Sequence, residues 1–135
     1  MRMAAYTKLN LRRDVEDMAP RFGYEEHVEA RFARKTLELE NSGMSYFRIE
    51  PGFRMPFGHR HGEQEEVYLV VSGSARFKVE DEILELGTLE VLRVPGSTAR
   101  GMEAGPDGVE LVVFSAPNTG NRDTEMLPEF WPPAE

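Results

Sequence analysis

Two histidines one residue apart, His59 and His61, stand directly before a run of oxygen-bearing side chains, Glu63, Gln64, Glu65 and Glu66. Successive side chains of an extended chain point to opposite faces, so a His-x-His pair puts both imidazoles on the same side. Two such imidazoles can hold one ion, and a nearby carboxylate completes a two-histidine, one-carboxylate set. That set is favoured by non-haem iron and also serves manganese, nickel or zinc. The remaining histidine, His27, lies among Glu25, Glu26 and Glu29 and reads as an exposed or strand-edge residue. The chain has no cysteine, which removes disulfide frameworks, iron–sulfur clusters, thiolate zinc sites and a catalytic thiol.

The elements that must position these groups read as strands. Phe53, Met55, Phe57, His59 and His61 alternate with Arg54, Pro56, Gly58 and Arg60, which predicts that the histidines share an inward face with three buried apolar side chains. Further strands are expected at 28–32, 37–39, 44–49, 66–71, 75–79, 83–86, 89–94, 99–103 and 109–114. Between them lie turn-like separators, among them Ser72-Gly73-Ser74, Pro95-Gly96-Ser97 and Gly105-Pro106-Asp107-Gly108, the last read as a hairpin turn. Asn10 is a good N-cap, and Leu11, Val15 and Met18 fall on one face before Pro20, so a short helix is expected over 11–19. Many short strands and one short helix point to an all-β antiparallel sandwich, jelly roll or barrel.

With 135 residues, the chain has the length of one domain that buries its own core. It carries 24 acidic and 16 basic residues, for a net charge of −8, a balance that repels phosphate backbones and argues against nucleic acid. The longest apolar run, Val67 to Val71, is far shorter than the roughly 20 residues that cross a bilayer, so no membrane role is expected. The start, Met1-Arg2-Met3-Ala4-Ala5, lacks an apolar signal core, and a soluble cytoplasmic protein is expected.

The spacing Gly52-x6-His59-x-His61-x4-Glu66-x6-Gly73 resembles the first motif of the cupin superfamily, with six residues in place of the usual five after the first glycine. The resemblance selects Glu66, over Glu63 or Glu65, as the third metal ligand beside His59 and His61. It covers roughly residues 36–116 and implies a double-stranded β-helix, the cupin jelly-roll barrel, with a divalent metal inside and a homodimeric assembly. Residues 1–35 would form an N-terminal helix and strand extension. Residues 117–135 would form a polar tail whose Phe130-Trp131-Pro132-Pro133 end packs on the barrel or on a second subunit. In the second cupin motif, Gly-x5-Pro-x-Gly-x2-His-x3-Asn, the histidine is the fourth ligand. Here seven residues separate Gly87 from Pro95, and the histidine position holds Arg100, which has no lone pair to offer a cation.

Three readings follow. The first is a metal-dependent cupin of the dioxygenase or isomerase type, with positions open to a small-molecule substrate. The second is a metal-free barrel that binds a small anionic or sugar-like ligand through Arg100, with Arg100 also able to neutralise Glu66. Tyr68, on the same face as Glu66, and Gln64, in the loop before it, are candidate pocket residues in either case. The third is a purely structural dimer, which would fill its pocket with Phe53, Met55, Phe57 and Phe77.

Overall fold

The computed structural model describes residues 5–120 and 122–132. Met1 to Ala4 of the start and Pro133 of the tail lie outside the described residues. Asn10 caps helix α1 (Leu11–Asp14), its side-chain oxygen accepting from the N–H groups of Arg12 and Arg13. The helix ends five residues earlier than expected. Val15 turns extended to bury its side chain, and Asp17 accepts from the N–H groups of Ala19 and Ala30, tying the chain to the first strand. Pro20 does not terminate α1. It sits in the first turn of α2 (Ala19–Phe22), where its missing N–H has no helical partner to lose.

Eight strands follow: β1 (Val28–Phe32), β2 (Gly43–Ile49), β3 (Gly58–His61), β4 (Glu65–Val79), β5 (Glu82–Leu86), β6 (Val91–Val94), β7 (Arg100–Ala116) and β8 (Thr124–Leu127). They form one curled antiparallel sheet in the order β1-β2-β7-β3-β8, with β4 pairing β7, β5 and β6. This is the all-β jelly-roll architecture expected from the strand pattern. Residues 37–39 are an exception. The N–H groups of Leu37 and Leu39 bond back to Ala33 and Arg34, making a turn in which Glu38 takes a φ of 63°.

The two separators Ser72-Gly73-Ser74 and Gly105-Pro106-Asp107-Gly108 do not end strands. Gly73 pairs with Val109 and Ala75 with Ala104, so residues 105–108 bulge out of a continuous β7. Gly73 has a φ of 75°, and a Cβ there would meet the Gly108 carbonyl oxygen at 2.1 Å. Only glycine fits this crossing.

Inward positions of β4, β6 and β7 build the core from Tyr68, Val70, Phe77, Val94, Leu111 and Val113. Met55 is buried among them, but Phe53 and Phe57 are only half-buried, short of the burial the alternation predicts. Phe53 instead stacks on the exposed His27 ring at 4.4 Å, and Phe57 lines a cavity. The tail returns to the barrel. β8 pairs with β3, setting His59 opposite Met126 and His61 opposite Thr124. Beyond it, Phe130 lies against Gly58, where a Cβ would meet the ring at 2.4 Å. Lys78 and Arg54 cap the Phe130 and Trp131 rings at 3.7 and 4.2 Å. Among the described residues no helix is long and apolar enough to cross a membrane.

Candidate metal centre

Three strands converge on one point of the barrel interior. β3 supplies His59 and His61, β4 supplies Glu66 and Tyr68, and β7 supplies Arg100, whose Cα is the register partner of His59. Ligand atoms of His59, His61 and Glu66 all lie within 4.8 Å of one another. Glu66 Oε1 is 3.1 Å from His59 Nε2 and 3.4 Å from His61 Nε2. Two atoms that ligate one ion at about 2.1 Å, at octahedral or tetrahedral angles, stand about 3.0–3.4 Å apart, so the two distances from Glu66 fit a shared cation.

The proton positions point the same way. His61 Nδ1 lies 3.3 Å from Asp123 Oδ1 and 3.1 Å from the Thr124 hydroxyl. A carboxylate only accepts, so Nδ1 carries a proton, and in the neutral tautomer with that proton the Nε2 lone pair faces inward. That nitrogen is buried with no hydrogen-bond partner, facing the Glu66 oxygen. Two acceptors opposed at this distance need a proton or a cation between them. A histidine whose far nitrogen is held by a carboxylate is the usual support of a metal-bound imidazole.

Glu66 is the electrostatic centre of the group. Its Oε1 also accepts from the Tyr68 hydroxyl at 2.8 Å and from Arg100 Nη2 at 3.2 Å. Burial pushes its carboxyl up, but the hydrogen bond and charge of His59 and the Tyr68 hydroxyl outweigh this and hold it well below the ordinary carboxylate range. Tyr68 is driven upward by its own burial and then by the Glu66 charge, so its hydroxyl keeps its proton and donates.

Arg100 is 1% exposed, and its guanidinium is heavily engaged. Nε donates to the Tyr68 hydroxyl, Nη1 to the carbonyls of Gly96 and Thr98, and Nη2 to Glu66. Gln64 is buried, with its amide donating to the Pro117 carbonyl at 3.2 Å. His27 lies apart, paired with Glu50. A cavity of about 800 Å3 reaches this group and is lined by Phe57, Tyr68 and Phe77 among others. The aromatic side chains therefore line a space and do not fill it, as a purely structural barrel would require.

Asp123 is the residue that the sequence pattern did not single out. It accepts from the N–H groups of Glu63 and Gln64 and from the Thr119 hydroxyl, besides facing His61. Burial raises its carboxyl, and these hydrogen bonds more than reverse that, leaving it well below its ordinary value. Its one signal in sequence is a carboxylate within a polar tail expected to fold back.

Compared by sequence, the chain matches no family model and no curated protein. Compared by structure, it resembles a cupin protein from Bacteroides fragilis at a TM-score of 0.70 and 21% identity, over 87% of this chain and 88% of that one. It also resembles a tryptophan-to-phenylalanine variant of oxalate decarboxylase from Bacillus subtilis, at a TM-score of 0.65 and 23% identity. That likeness covers 75% of this chain and 28% of the decarboxylase, so the chain corresponds to little more than a quarter of it. The curled sheet, the strand order and these neighbours agree, and the chain has the cupin fold.

Proposed function

We propose that this barrel binds a divalent metal ion through His59, His61 and Glu66 and works as a small metal-dependent cupin. The observation that supports this reading best is the buried, unpartnered His61 Nε2 facing Glu66 Oε1, with the opposite ring nitrogen held by Asp123. Iron, manganese, nickel and zinc all suit two imidazoles and one carboxylate. When bound, such an ion would polarise or activate a small molecule at coordination positions the protein leaves open, as dioxygenase- or isomerase-type chemistry requires. Around it, Asp123 fixes the His61 ring, while Tyr68 and Arg100 hold the Glu66 carboxylate. Elemental analysis of protein purified without added metal tests the reading, followed by calorimetric titration of each ion into chelated protein. About one equivalent of metal per chain supports it, and a chain that takes up none refutes it.

One observation favours a metal-free alternative. Arg100 Nη2 already pairs with Glu66 at 3.2 Å, so a guanidinium charge can stand in for an ion. In that reading the barrel is a binding module for a small anionic or sugar-like molecule. Self-association belongs to either reading. Val67, Leu69, Val71, Val91 and Phe114 alternate with inward residues on β4, β6 and β7, with Val67 opposite Phe114 and Leu69 opposite Val91. This outward apolar stripe suits a second copy of the chain, and sedimentation of the purified protein as a dimer is the result expected.

A further inference from the structure

The cavity has two features that the metal centre does not use. Its outer wall is apolar and aromatic, with Phe22, Phe32, Phe47, Met44 and Met126 along it. Three of these, Phe22, Phe32 and Met126, are 58%, 45% and 52% exposed, so part of the apolar lining is open to solvent. The second feature is a pair of cations on the same lining, Arg34 and Lys35. Acidic residues outnumber basic ones 24 to 16, and Arg12, Arg31, Arg54, Arg60 and Arg93 each find a carboxylate. Arg34 and Lys35 make no ion pair among the described residues. Arg100, by contrast, is spent on Glu66, Tyr68 and two carbonyls.

The strand register sets the distance between the two ends. Glu66 is the partner of Ser115, and Ser115 of Gly43. The Ala33 N–H bonds the Met44 carbonyl, which brings in Arg34 and Lys35. Three inter-strand steps of about 4.8 Å, roughly 14 Å of sheet, separate the Glu66 backbone from Ala33, with Arg34 and Lys35 one and two residues further along the chain. A two- or three-carbon acid is much shorter than this backbone separation.

From the unpaired cations at one end, the apolar wall between and the His59, His61 and Glu66 group at the other, we infer that the cavity takes an amphipathic organic acid. Its anionic group is held by Arg34 and Lys35, its apolar or aromatic body lies against Phe32, Phe47 and Met126, and its far end reaches the metal-ligating group. The guanidinium and ammonium supply charge-assisted hydrogen bonds, and the body covers apolar surface otherwise exposed to water. The inference rests on the reading of this cavity as the functional site and names the class of molecule it accepts.

The test is calorimetric titration of phenylbutyrate, phenylhexanoate and phenylhexanol into wild-type protein and into the Arg34→Gln/Lys35→Gln variant. Wild type is expected to bind phenylhexanoate more tightly than phenylbutyrate, and about tenfold more tightly than the alcohol of equal length. The double variant is expected to lose that preference for the acid while keeping its melting temperature and metal content. Equal binding of acid and alcohol, undiminished acid binding by the variant, or no binding of any member of the series would overturn the inference. Repeating the titrations in chelator separates it from the metal proposal. A preference for the acid that survives without metal, in a chain that takes up no ion, upholds this inference and refutes the metal centre.

Discussion

Asp123 Oδ1 lies 3.3 Å from His61 Nδ1, joining residues 62 apart in sequence. The contact fixes which nitrogen of the imidazole carries the proton and which faces the Glu66 carboxylate. Asp123 is therefore a positioning residue. Asp123→Ala should lower metal affinity by about 10- to 100-fold, read by competition against a chelating dye. The outward-facing exchange Glu125→Ala, which breaks only the exposed pair with Arg60, should leave that affinity unchanged.

The three ligands should act as a set. Replacing His59, His61 or Glu66 by Ala is expected to bring metal content close to zero, because three protein ligands leave none to spare. Full occupancy in His61→Ala protein, measured by elemental analysis, would place the ion elsewhere.

Arg100 pairs with Glu66 and would compete with a bound cation for it. Arg100→His removes that competition and adds an imidazole at the register position opposite His59, so metal binding should tighten relative to wild type in calorimetry. Arg100→Ala leaves the Glu66 charge buried without its guanidinium and opens two carbonyl contacts. A loss of about 3–5 kcal/mol in urea unfolding of metal-free protein is expected.

Acid should weaken the metal-free protein in a predictable window. Glu66 and Asp123 are both held below their ordinary values of 4.5 and 3.8. A depressed carboxyl contributes stability that is complete above its unfolded value and is lost as pH falls towards its folded one. Urea midpoints should therefore be flat near neutrality and fall steadily below about pH 4.5. Glu66→Gln should have a lower midpoint at neutral pH and a shallower fall with acid. An identical slope in both proteins would show that Glu66 is not the linked group.

Within the barrel, stability should follow burial, not mere membership of the apolar stripe. Phe77 is fully buried and packs against Tyr68 at 4.8 Å between ring centres. Phe77→Ala is expected to cost about 3–5 kcal/mol. Half-buried Phe57, on the cavity wall, should cost clearly less when truncated, which comparison of the two urea midpoints will show.

The strand pattern was legible because period-two alternation survives wherever one face is buried, as at Tyr68, Val70 and Phe77. The His59 and His61 pair was legible because alternate residues of a strand share a face, while the choice of Glu66 over Glu63 and Glu65 came from the resemblance to the cupin motif. Where strands continued was hidden. Gly73 and Gly105 to Gly108 read as turns, yet a bulge uses the same residues without reversing the chain. The role of Asp123 was hidden for another reason. It depends on β8 pairing with β3 across more than 60 residues, and a four-residue edge strand leaves little periodic trace. The end of α1 at Asp14 was hidden because Val15, which shares a helical spacing with Leu11, is extended and buried instead.

The tail that carries Asp123 also imposes an order on assembly. His59, His61 and Glu66 are synthesised together near the middle of the chain, but the group that orients His61 follows some sixty residues later. A nascent or truncated chain ending before residue 123 would present both imidazoles with the His61 tautomer unset and the loop at Glu63 and Gln64 without its anchoring carboxylate. In the metal-binding reading, competence of the centre would thus report on completion of the barrel: the ligands come first, and the residue that aims them arrives last.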